Sequence, residues 1–190
     1  MIKAIIFDCF GVLSTDGWLP FRTKYFAQDK ALYDEATMMN RQCDAGLLPY
    51  DALINWLAEK SGQTPDQVLY ELEHHSSNTP LFDYIRTELK PHYRIGVMSN
   101  AARNWLDILF SEQETALFDG VILSYQLGHT KPEREAYEAI ATKLGVLPEE
   151  CVFIDDQERF ATAANDVGMR GIHFISLEQL KPELEKVLVK

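Results

Sequence analysis

The 190-residue chain is 46% hydrophobic and 25% charged, with a formal net charge of −11. Such a length and composition fit one globular domain, or a core carrying an insertion, with enough buried apolar surface to need no staples. A body this acidic, without a Lys/Arg cluster, repels nucleic-acid phosphates, and no apolar run approaches the roughly 20 residues that span a bilayer, so neither a nucleic-acid nor a membrane partner is expected.

Ile2 to Phe7 is an apolar run without polar alternation, which suits a strand buried on both faces of a parallel sheet. The run is far shorter than a signal-peptide core and ends in an acid, Asp8, so a cytoplasmic protein is expected. Cys9, Cys43 and Cys151 form an odd set without metal-ligand spacing and read as free thiols of a reducing compartment. Alternation along the strand points Cys9 away from Asp8.

From about Ser14 to Pro80 no strand is convincing. Phe21 to Gln28 and Lys30 to Asn40 have helical patterns. Tyr50 to Lys60 places Leu53, Ile54, Trp56 and Leu57 at helical spacing, and Ser61-Gly62 ends it. Thr64-Pro65-Asp66-Gln67 then reads as a capping box with Pro at the first helical position. These helices occupy about 65 residues, too many for an ordinary connection, and suggest a cap or lid over residues 14–80. Trp18, Phe21, Tyr25, Phe26 and Trp56 would line a site or pack the cap. Gly46 marks a turn facing the core.

Apolar runs return at Arg94 to Met98, Gly120 to Leu123, Cys151 to Ile154 and Gly171 to Ile175. Helical patterns cover Ala101 to Phe110, Glu133 to Leu144, Phe160 to Val167 and Leu177 to Val189, with Gly145 and Gly168 as stops. Strands alternating with helices imply right-handed crossovers and a doubly wound, three-layer α/β fold with a parallel sheet. Its core would comprise residues 1–13 and 81–190.

Ligands of such sheets sit beyond the carboxyl ends of the strands. The strand-final residues are Asp8, Ser99 with Asn100, and Asp155 with Asp156, all polar. A carboxylate at a strand end can attack a phosphoryl or alkyl centre or ligate Mg²⁺, and it can also simply cap a turn. Asp155 and Asp156 repel each other unless a cation relieves them, although one of them could cap the next helix. Ser99-Asn100 before a helix make an anion site or an ordinary cap. Lys131 precedes a helix start at Pro132-Glu133, where the helix dipole disfavours a cation, so carboxylates and substrate would hold it there unless it is a solvated surface lysine.

Together the segments Ile5-Ile6-Phe7-Asp8-Cys9-Phe10-Gly11-Val12-Leu13, Val97-Met98-Ser99-Asn100, Lys131-Pro132 and Val152-Phe153-Ile154-Asp155-Asp156, with Gly168-Met169, resemble the haloacid dehalogenase-like superfamily, nearest to its glucose-1-phosphate phosphatase-like group. The resemblance implies a Rossmann-like core with a helical cap of the C1 type after the first strand. It implies a Mg²⁺-dependent phosphatase of a small phosphorylated metabolite, working through an aspartyl-phosphate. Asp8 becomes the nucleophile. Ser99, Asn100 and Lys131 become phosphate-side contacts, with Lys131 also catalytic. Asp8, the Phe10 backbone carbonyl, Asp155 and Asp156 become the metal ligands.

Phe10 occupies the position at which most phosphatases of the superfamily carry a general acid. Asp16, His74, His75 and His129 are the candidate substitutes. Two alternatives follow from the same departures. An aromatic residue at position 10 is a feature of 2-haloacid dehalogenases, against which the Asp155-Asp156 pair counts. Phe160, where many relatives carry Asn or Asp, would suit a binding protein that has lost catalysis.

Overall fold

A computed structural model describes residues 1–188; Val189, the expected end of the last helix, lies outside them. The elements run β1 (Ala4–Phe7), α1 (Trp18–Phe26), α2 (Lys30–Asp44), α3 (Tyr50–Ser61), α4 (Pro65–Glu73) and α5 (Thr79–Tyr84), the last continuing into a π-helical turn at Ile85–Leu89. Then follow β2 (Arg94–Ser99), α6 (Leu106–Leu109), α7 (Glu112–Thr115), β3 (Gly120–Leu123), α8 (Ser124–Leu127), α9 (Arg134–Leu144), β4 (Cys151–Asp155), α10 (Glu158–Asp166), β5 (Arg170–His173) and α11 (Leu177–Leu188). The strands form one parallel sheet in the order β3-β2-β1-β4-β5.

Both faces of the sheet are dry, which explains why its strands read as continuous apolar runs. Ile5, Phe7, Ile95, Val97, Val152 and Ile154 point to one face and pack with Leu81, Phe82 and Ile85 and with Leu180 and Leu184 of α11. Ala4, Ile6, Met98 and Phe153 point to the other, against Tyr137 and Ile140 of α9 and Phe160 and Ala164 of α10. The result is a three-layer, doubly wound α/β fold. No helix among the described residues is long and apolar enough to cross a membrane.

The helices α1–α4 share a hydrophobic cluster of their own, with Phe21, Phe26, Leu53, Leu57 and Val68 at its centre. The chain leaves and re-enters the sheet layer at one place. Thr15 N–H donates to Ser76 O at 3.1 Å, Asn78 N–H to Leu13 O at 2.8 Å, and the Asn78 amide to Val12 O at 2.9 Å. The expected capping box is formed: Thr64 accepts from Gln67 N–H, and the Gln67 side chain accepts from Thr64 N–H. Gly46 lies against the Tyr125 carbonyl of α8, so the turn after α2 does face the core layer.

One expected helix is absent. Ala101 to Phe110 is irregular apart from the single turn of α6. Ala101 N–H donates to Ser124 Oγ at 3.0 Å rather than entering a helical ladder, and Asn104 Oδ1 accepts from Leu106 N–H, so helix starts only there. The capping box Ser111-x-x-Glu114 that opens α7 went unread in the sequence, because the helix behind it is one turn long.

Candidate active site

The first and fourth strands are neighbours in register, Phe7 opposite Ile154, so the next residues, Asp8 and Asp155, emerge side by side at the carboxyl edge. Lys131, in the loop before α9, reaches between them. Its Nζ lies 2.7 Å from Asp8 Oδ1 and 2.6 Å from Asp155 Oδ2, with all three side chains almost fully buried. Lys131 Nζ also stands 5.2 Å from the centre of the Phe160 ring and 5.5 Å from that of Phe153. The ammonium is thus enclosed by two anions and two aromatic faces, which is how a cation survives without water.

Asn100 sets this lysine in place. Its Oδ1 accepts from Lys131 N–H at 2.8 Å and its Nδ2 donates to Lys131 O at 3.1 Å. The side chain expected to contact phosphate therefore clamps the Lys131 backbone. Ser99 is buried at the end of β2, its hydroxyl turned 3.4 Å from the Asn100 carbonyl.

Asp155 and Asp156 differ. Asp155 is fully buried and both its oxygens are engaged, Oδ1 by Gln157 N–H at 2.8 Å and Oδ2 by Lys131. Asp156 Oδ1 is buried with no hydrogen-bond partner among the described residues. Gly11, at φ +84°, makes room for it: a Cβ there would stand 2.5 Å from Asp156 Oδ2. Carboxylate oxygens of Asp8, Asp155 and Asp156 all lie within 4.8 Å of one another. The Phe10 carbonyl, on the same turn, accepts no hydrogen bond among the described residues.

Burial raises Asp8 to about 8, against the pull of Lys131 and with the push of Asp155. Burial and Asp155 raise Asp156 to about 6. Burial lowers Lys131, but Asp155 and Asp8 outweigh it and the ammonium is held above the usual lysine range. Three acids crowded round one ammonium leave negative charge unrelieved, and the donor set is all oxygen. A hard divalent cation fits both facts.

The cluster opens onto a cavity of about 680 Å³ between the sheet edge and the helices α1 and α2. Asp8, Phe10, Asn100, Lys131, Asp156 and Phe160 form its inner part. Of the candidate substitute acids, Asp16 and His75 line the cavity. His75 packs its ring on Phe10, centroids 5.3 Å apart, and burial lowers its pKa. His74 instead stacks on Tyr70, and His129 pairs with Glu133 on the exposed surface. Cys9 is buried in the core, and burial pushes its thiol far up, so it is inert.

A family model described as haloacid dehalogenase-like hydrolase matches residues 2–168. The chain belongs to this family. Like other haloacid dehalogenase-like proteins, it is a hydrolase. It is 26% identical to the sesquiterpene phosphatase astK of Aspergillus oryzae over 180 residues, covering 90% of this chain and 89% of that protein. Over 83 residues it is 35% identical to a phosphatase of Mycobacterium tuberculosis, 41% of this chain and 37% of that one. Among solved haloacid dehalogenase-like structures, a magnesium complex from Bacteroides thetaiotaomicron superposes with a TM-score of 0.74 at 21% identity, covering 96% of this chain and 98% of that one. An L-2-haloacid dehalogenase of Xanthobacter autotrophicus gives 0.65 at 21% identity, covering 100% and 85%. At these identities the two structures speak for the fold alone.

Sequence reasoning missed the wall contributed by α1 and α2. Arg22, Thr37, Asn40, Arg41 and Asp44 line the cavity there. Asp44 is the member with a sequence signal: a carboxylate in the last turn of a helix opposes the macrodipole. It is 9% exposed, accepts from Asn40 Nδ2 at 2.9 Å, and is raised by burial to about 7. Trp18 also lines the cavity, whereas Phe21 and Phe26 are core of the helical cluster and Tyr25 and Trp56 pack against it.

Proposed function

We propose that this hydrolase cleaves a small phosphomonoester, with Asp8 as nucleophile and Mg²⁺ as cofactor. The observation that carries the reading is the pairing of Lys131 with Asp8 and Asp155 beside an unsatisfied Asp156 oxygen, at the floor of an open cavity. The Asp8 carboxylate attacks phosphorus, the ester oxygen departs with its electron pair, and water then opens the aspartyl-phosphate. Lys131 keeps Asp8 oriented and adds positive charge beside the transferred group. Asp8, Asp156 and the Phe10 carbonyl would hold Mg²⁺, with Asp155 behind them fixing Lys131. When bound, the metal would supply charge against the phosphoryl oxygens.

The departing oxygen needs a proton that Phe10 cannot give. Asp16, Asp44, Tyr50 and His75 are the side chains lining the cavity outside the nucleophile's cluster that can carry such a proton. Residues 14–80 act as a C1-type cap in this reading, because α1 and α2 supply the wall facing the sheet edge. The names of two relatives, both phosphatases, support the reaction class, and a structural neighbour was obtained with magnesium and inorganic phosphate together.

The test is a panel of phosphomonoesters with and without Mg²⁺, beside Asp8→Asn. Turnover should need the metal and fall by at least about 10³-fold in the variant, the scale on which loss of a nucleophile registers. Turnover that survives Asp8→Asn rejects the nucleophile. Metal-independent halide release from 2-chloropropionate would replace the reading with the dehalogenase alternative, which the ring at position 10 otherwise suits.

A further inference from the structure

The acidic chain uses its arginines unevenly. Arg86, Arg103 and Arg134 each pair with a carboxylate. Of the five arginines without an acidic partner among the described residues, Arg94 donates to the Leu144 carbonyl and Arg170 lies exposed at the start of β5, whereas Arg22, Arg41 and Arg159 all line the one cavity that holds Asp8 and Lys131. With 29 acidic residues against 18 basic ones, three arginines without acidic partners converging on one space call for an anion to meet them.

Arg22 is the most firmly held. Its guanidinium carbon lies 4.1 Å from the centre of the Tyr33 ring and 5.6 Å from that of Trp18. Its Nη1 donates to Thr37 Oγ1, whose own proton goes to Tyr33 O at 2.7 Å, leaving a lone pair free for the arginine. Arg22 Nε is buried and unpartnered among the described residues. Arg41 follows Thr37 by one helical turn on α2 and extends the same stripe. The acids nearby are otherwise occupied. Asp16 accepts from the N–H groups of Trp18 and Leu19, and Asp44 from Asn40. A guanidinium pre-oriented by aromatic stacking and one hydroxyl keeps its remaining donors for a planar or tetrahedral oxyanion.

We infer that Arg22, assisted by Arg41, forms a second anion subsite in the helical wall, so that the substrate's leaving group itself carries a carboxylate or a second phosphate. This rests on the phosphomonoesterase reading and narrows its substrate class. The cavity volume is that of a pocket for a metabolite larger than a bare phosphate. The subsite also answers a problem set by the net charge of −11: a dianionic or trianionic substrate needs local cations at both ends to enter.

The experiment compares matched six-carbon esters. Glucose 6-phosphate is set against 6-phosphogluconate for the carboxylate arm, and fructose 6-phosphate against fructose 1,6-bisphosphate for the phosphate arm. In the wild type at least one anion-bearing ester should be preferred by about 10-fold or more in kcat/KM. Arg22→Gln should cost that ester about 10- to 100-fold, the usual worth of a charge-assisted contact, and its neutral counterpart only a few-fold. Arg22→Lys, which keeps the charge and loses the fork, should recover part of the difference, and Arg41→Gln should reproduce a smaller loss. No preference in either arm, or equal losses for charged and neutral esters, overturns the subsite. Calorimetric binding of gluconate and of inorganic phosphate, without metal or turnover, separates the two readings. If no ester is cleaved, anion binding that weakens in Arg22→Gln upholds the subsite while the phosphatase reading fails. Binding identical in both proteins, or none at all, overturns the subsite.

Discussion

At the scale of single residues, the site is organised by where a charge can be afforded burial. Lys131, Asp8 and Asp155 are each buried and each satisfied by the others, so removal of any one strands the remainder. Asp44 is different, since its carboxylate has an amide neighbour but no contacting cation among the described residues. Its folded pKa of about 7 stands above the ordinary aspartate value of 3.8, with burial as the main cause. The folded state therefore binds the proton more tightly than the unfolded chain, and stability from this group is present below the unfolded pKa and is lost as pH rises through about 7. Asp44→Asn keeps the shape and an acceptor for Asn40, so it should melt higher than the wild type at pH 8, by a margin that closes towards pH 4. Thermal denaturation of both proteins across that range checks it. A difference independent of pH would show that Asp44 ionises in the folded protein as freely as in the unfolded one.

At the scale of elements, close backbone approach fixes how the helices lie on the sheet. Gly171 in β5 faces the end of the first turn of α10, where an added Cβ would stand 1.8 Å from the Ala161 carbonyl oxygen and 2.6 Å from its carbon. Backbone cannot yield there as a side-chain tip would. Gly171→Ala should push α10 off the sheet and lower stability by about 1–3 kcal/mol, the usual cost of overpacking. Chemical denaturation reads this, and an unchanged midpoint would mean that the strand edge shifts freely. The same α10 carries Phe160, one of the two rings beside Lys131 Nζ, so the variant should also lose activity out of proportion to its folded fraction.

At the scale of the whole molecule, a metal bound as proposed would be coupled to the fold. Three carboxylates brought together only in the folded state make a cation a ligand of that state alone, and it should stabilise the protein by about 2.7 kcal/mol at 100 times its dissociation constant. Mg²⁺ should therefore raise the melting temperature of the wild type, and Asp156→Asn should abolish the increase while raising the metal-free melting temperature at neutral pH, because it removes the charge whose burial beside Asp155 holds Asp156 at about 6. A metal-independent melting temperature would remove Mg²⁺ from the site. The three layers and the polar residues at the strand ends are legible along the chain, because unbroken apolar runs and helix-stop glycines are local signals that burial on both sheet faces imposes. Asp8, Lys131 and Asp155 each stood out against their surroundings, as acids closing apolar runs and a cation at a helix start, and the motif resemblance joined them into a set. Which acid keeps a free oxygen, what Asn100 holds, and which faces of α1 and α2 turn inward were decided only by tertiary packing. Those depend on the rotation of one helix against another and on which donor reaches a carboxylate first, and no periodicity along the chain encodes either.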